Sequence, residues 1–147
     1  MAAGKVAKLI AVPTPDGSAL FACIRRTGRK VALDDGFADA RVAGRWVSWQ
    51  RPGAAGRWRI VVHDLRTGKE RLVIGHVAAG SLVVTARGSI AWAQIQDGAP
   101  ATPLYANEVG TGGRLLDGDD PDAGSITLAG RRLRWLSSGE WRTALLR

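Results

Sequence analysis

Apolar and polar residues follow one another in short runs with a period of two rather than 3.6, the spacing of strands and not of helices. Arg59-Ile-Val-Val-His-Asp-Leu65 and Lys69-Glu-Arg-Leu-Val-Ile74 are typical, each bounded by turn-forming residues. The tight Arg66-Thr67-Gly68 step between them reads as a hairpin turn, and Gly68 and Gly112 are expected at positive φ. No window of a dozen residues carries a helical stripe. The pattern predicts an all-β chain built from antiparallel hairpins.

A repeat organises these hairpins. Trp49, Trp92 and Trp135 stand 43 residues apart, and Val42–Trp49 aligns without gaps on Thr85–Trp92 and Leu128–Trp135. A second series, Thr27-Gly28, Thr67-Gly68 and Thr111-Gly112, interleaves with the first. Each unit then holds four strands, A to D. Strand A ends near Ala43, Ala86 and Ala129, B carries the tryptophan, and D follows the Thr-Gly turn. Strand C is expected at 59–65, 103–109 and 141–146. The start of the chain supplies B (5–12), C (19–26) and D (29–33), with Pro13 to Ser18 as the B–C turn. The expected units are 5–35, 36–76, 77–120 and 121–147, with about 14 strands, the first unit lacking A and the last lacking D.

Four-stranded units of this length with a tryptophan on the second strand are the pattern of β-propeller blades. Through Pro15-Asp-Gly-Ser18, Asp64-Leu-Arg-Thr-Gly-Lys69 and Ser125-Ile-Thr-Leu-Ala-Gly130 with Leu133-Arg-Trp135, the chain resembles bacterial TolB-type and tryptophan-aspartate-repeat-like propellers. No tryptophan here is followed by aspartate, so the strict dipeptide form is absent. The resemblance implies an incomplete or half-propeller used as an extracytoplasmic binding or scaffold module. It also implies open blade ends that a partner protein or a second copy would cover. Trp49, Trp92 and Trp135 would be the inter-blade core, with Ser48 and Ala91 as small residues on a strand pressed from both sides. Trp46, Trp58 and Trp141 fall outside the repeat and are better candidates for an exposed or interface role, with core packing the favoured reading even for them.

Composition narrows the picture. A chain of 147 residues suits one domain. A single cysteine, Cys23, excludes an internal disulfide and a cysteine-built metal cage. No apolar run approaches the roughly 18 residues that would span a bilayer. The first residues lack the pattern of a secretory signal, which leaves the compartment open.

Chemistry-bearing residues are sparse. His63 and Asp64 are neighbours on a strand and must point to opposite faces, so they cannot act as a base and its orienting carboxylate. His76 has no partner at zinc-ligand spacing. Nucleophile elbows, phosphate loops and paired zinc histidines are absent, so no enzyme and no cofactor are expected. The acidic stretch 117–122 offers Asp117, Asp119 and Asp122 as oxygen ligands for Ca²⁺, against the plainer reading of a solvated connection.

Net charge of +8 gives the turns a geography. In a meander, A–B and C–D turns share one edge, and B–C and D–A connections share the other. The first edge collects Arg25, Arg26, Arg29, Lys30, Arg45, Arg66, Lys69, Arg87, Arg114, Arg131 and Arg132. The second collects Asp16, Asp34, Asp35, Asp97, Asp117, Asp119, Asp120, Asp122 and Glu140, diluted by Arg51 and Arg57. The leading expectation is a non-enzymatic protein-interaction or scaffold module. A ligand- or calcium-binding propeller is the alternative, and nucleic-acid or anionic-surface binding through the basic edge stands third.

Overall fold

The computed structural model describes residues 7–33, 36–78, 80–95, 102–108 and 112–147. Among these the chain is all-β, with two 3-10 turns and four antiparallel sheets. Sheet 1 holds β1 (Ala7–Thr14), β2 (Gly17–Ile24) and β3 (Lys30–Ala32). Sheet 2 holds β4 (Ala38–Ala43), β5 (Trp46–Pro52), β6 (Trp58–Asp64) and β7 (Lys69–Val77). Sheet 3 holds β8 (Val83–Val84), β9 (Ile90–Ala93), β10 (Leu104–Asn107) and β11 (Gly113–Asp117). Sheet 4 holds β12 (Thr127–Ala129), β13 (Arg132–Ser137) and β14 (Glu140–Leu145). Every sheet is a simple meander in chain order, with strand counts of three, four, four and three.

The sheets follow one another face to face. Three apolar layers lie between them, one at each junction. Their first strands run side by side, β1 against β4, β4 against β8 and β8 against β12. The inner sheets are therefore covered on both faces: Trp46 to Gln50 on β5 and all of β9 are buried. The end sheets bury one face each, as the in-and-out alternation of β13 records.

The repeated tryptophans occupy equivalent places. Trp49 packs toward sheet 1, Trp92 toward sheet 2 and Trp135 toward sheet 3, at 2%, 5% and 3% exposure. Burying a large ring at the same register in each sheet fixes the interval between copies, because each indole must meet the sheet before it. On the other face, Ser48 and Ala91 are fully buried and small, which lets the following sheet approach.

Trp46, outside the repeat, is also core, in the layer between sheets 2 and 3. Gly88 gives it room: a Cβ there would lie 2.6 Å from Trp46 Cε2. Trp58 is half-buried, and Trp141 is 53% exposed. Of the two turn glycines, Gly68 has φ +71, as its tight turn requires. Gly112 does not take a positive φ.

Sheets 2 and 3 are each also tied to the next sheet through the connection that leaves them. Val77 bridges Gln94, and Ala78 N–H donates to Ala93 O at 3.0 Å. One repeat later, Pro121 bridges Ser137 and Asp122 N–H donates to Leu136 O at 2.9 Å. Buried Gln50 reinforces the first link, donating to Ala78 O (2.9 Å) and accepting from Gly80 N–H (3.0 Å).

Candidate functional site

Antiparallel meanders place alternate turns on opposite edges of each sheet, and face-to-face stacking merges those edges into two ends. At one end lie the β2–β3, β4–β5, β6–β7, β8–β9 and β12–β13 turns. Contacts between sheets join them. Arg29 Nη1 donates to Arg66 O, and the Gly44 turn touches Ala86; within sheet 2, Leu65 N–H donates to Arg45 O at 2.9 Å. This end carries Arg25, Arg26, Arg29, Lys30, Arg45, Arg66, Lys69, Arg87, Arg114, Arg131 and Arg132, all exposed except half-buried Arg45.

Two acids of this end are buried and paired. Asp64 lies 3.4 Å from Arg45 Nε and caps Arg66 N–H at 2.9 Å. Glu108 accepts from the Arg147 amide (3.1 Å) and from Arg114 Nη2 (3.0 Å). Those two donors hold the Glu108 carboxyl below its ordinary range despite the opposing effect of burial. Beside it, Gly112, Arg114, Arg131, Leu145 and Arg147 complete a hollow of about 520 Å³.

At the opposite end the acidic stretch of sheet 3 meets sheet 4. Asp117 accepts from Trp135 Nε1 (2.6 Å), Arg142 Nη1 (2.9 Å) and the Asp119 amide (2.9 Å). Asp119 joins Arg142 at 3.1 Å. Asp122 instead caps the 3-10 turn Ala123–Ser125 through Gly124 N–H, at 2.9 Å. Asp120 accepts from Thr102 N–H at 3.3 Å.

The candidate calcium ligands are engaged by the protein itself. Asp117, Asp119 and Asp122 do not surround one point, and no group of three metal-binding side chains occurs among the described residues. Their oxygens are turned to an indole, a guanidinium and backbone amides, which supply the positive charge a cation would otherwise bring. Asp34, Asp35 and Asp97 lie outside the described residues.

The histidines land apart. His63 faces Trp49, ring centroids 4.9 Å apart, with Nε2 3.7 Å from Glu70. Asp64 pairs across the strand with Trp46 on the other face, so the two neighbours form no dyad. His76 Nδ1 meets Arg57 Nη1 at 2.5 Å beside the β5–β6 connection.

A feature unread in the sequence lies on the outer face of sheet 4. There the Arg134 guanidinium sits 4.0 Å from the centre of the Trp141 ring. The signal was present in the alignment, since Arg134 falls where Ser48 and Ala91 stand in the inner sheets. Sheet 1 has a counterpart on its outer face, Lys30 over Phe21 at 5.0 Å. No helix among the described residues is long and apolar enough to cross a membrane.

Comparison with family models, characterised proteins and solved structures finds no match for this chain.

Proposed function

We propose that this chain is a non-enzymatic protein-interaction module made of propeller-type blades, and that a partner protein covers its open end faces. The observation that carries the reading is the contrast between inner and end sheets. The inner sheets bury both faces, whereas sheet 4 leaves Trp141 at 53% and Leu145 at 60% exposure on a face of the same construction. Exposed aromatic and aliphatic side chains beside arginine have the composition of interface centres. The buried carboxylates support binding over turnover. Asp64, Asp117 and Glu108 are each tied to arginine and backbone donors that fix structure. The 43-residue register, the side-by-side first strands and the meander order support the blade reading.

The basic end favours a second reading, contact with a polyanion such as nucleic acid. Site-specific photocrosslinking in cells separates the two. A benzophenone side chain replacing Trp141 is expected to give discrete protein adducts, and one replacing Arg66 is not. Nucleic-acid adducts from position 66 with none from 141 would replace the first reading by the second. Silence at both positions would remove the proposal.

A further inference from the structure

The repeat register states what kind of surface can lie on sheet 4. Cross-strand pairing places Ile60, Leu104 and Trp141 at one equivalent position, opposite Gln50, Ala93 and Leu136. Ile60 and Leu104 are fully buried by the following sheet, so this is a covered position and Trp141 keeps it apolar. The neighbouring position changes character. Ser48 and Ala91 admit a closely packed sheet, whereas Arg134 puts a cation at the same spot.

Arg132, paired with Leu145, adds a second exposed cation to that face. The one carboxylate of sheet 4, Glu140, pairs with buried Ser137 and belongs to the opposite side of the pleat. The outer face therefore combines two arginines, an aromatic ring and an exposed leucine without an acid. Another copy of this chain is a poor cover. Its sheet 1 would present Lys8 and Lys30, and its sheet 4 would present the same arginines, so either pairing sets like charges together.

We propose that the outer face of sheet 4 docks an acidic segment of a partner protein. Arg132 and Arg134 take its carboxylates, and Trp141 and Leu145 take an apolar residue between them. This inference rests on the interaction-module reading and specifies its surface and the chemistry of its partner.

Short poly-L-glutamate is the probe, measured by fluorescence anisotropy on the whole chain at low and physiological salt. Arg132→Ser and Arg134→Ser, combined, are expected to weaken binding about tenfold or more. Arg66→Ser with Arg87→Ser, on the basic end, should leave it within about twofold by the same scale. All four side chains are exposed, so unchanged melting will certify that the variants fold.

Loss that follows the Arg66 and Arg87 pair instead, or tighter binding to duplex DNA than to polyglutamate, would overturn the assignment. So would a concentration-dependent dimer abolished by Arg134→Ser. Protein adducts from position 141 with no acidic preference would sink this inference while leaving the interaction-module reading in place.

Discussion

Trp135 Nε1 donates to Oδ2 of Asp117 at 2.6 Å, joining the last strand of sheet 3 to the middle strand of sheet 4. Arg142 takes the other carboxylate oxygen at 2.9 Å. The carboxyl is thus a fastener between sheets, with its charge met on both oxygens. Asp117→Ala would strand a buried indole N–H and remove the arginine's inner partner. We expect a loss of about 2 to 3 kcal/mol in urea denaturation, as for a buried polar group left unpaired.

The same carboxyl makes stability depend on acid. Burial raises the Asp117 pKa, but hydrogen bonds from Trp135, the Asp119 amide and Ser137, with the Arg142 charge, outweigh it and leave the pKa below its ordinary value. Glu108 is lowered as well, chiefly by the Arg147 amide and Arg114. A carboxylate depressed in the folded state stabilises the fold above its unfolded pKa, about 4 for these groups, and ceases to do so as pH falls through the folded pKa. The melting temperature should hold steady near neutrality and drop once pH passes below about 4. Asp117→Asn should show a shallower drop in calorimetry.

Two glycines in similar turns should respond very differently. Gly88 has φ +90 and a built Cβ would lie within 2.6 Å of the Trp46 ring, so Gly88→Ala combines backbone strain with a core clash. A loss of about 3 to 4 kcal/mol is expected from the two effects together. Gly68 has φ +71 with nothing within 4 Å, so Gly68→Ala should cost only about 1 kcal/mol. Equal losses in chemical denaturation would contradict the packing described for Trp46.

Ser48 offers a gain. Its hydroxyl is fully buried and has no hydrogen-bond partner among the described residues, while the equivalent position one repeat later is Ala91. Ser48→Ala removes a desolvated polar atom without opening a sizeable cavity. Stability should stay level or rise by up to about 1 kcal/mol. A clear loss of melting temperature would mean that the hydroxyl finds a partner in solution.

Much of this architecture was legible because the large rings at 49, 92 and 135 recur at one interval and can be buried in one way only. Their spacing gave away the sheets, the strand order and the two-faced burial of β5 and β9. The site was less legible. Asp117 reads as a surface acid in the sequence, because nothing local reveals that Trp135 and Arg142, 18 and 25 residues on, will lie across from it. Trp46 is the harder case because it breaks the repeat: core packing is the favoured reading and holds, but the missing side chain of Gly88, in the neighbouring sheet, makes its pocket. Gly112 is expected to share the positive φ of Gly68 and does not. For Asp117 and Trp46 the deciding partner belongs to another sheet.

The pinned connections have a consequence for how the molecule comes apart. Val77 and Pro121 each leave one sheet already bonded to the second strand of the next, so sheets 2, 3 and 4 cannot peel apart without disturbing one another. Repeat arrays with strong neighbour coupling melt as a unit, whereas weakly coupled ones fray from their ends. Sheets 2 to 4 should therefore melt in one sharp thermal transition, with the last sheet protected nearly as long as the middle ones.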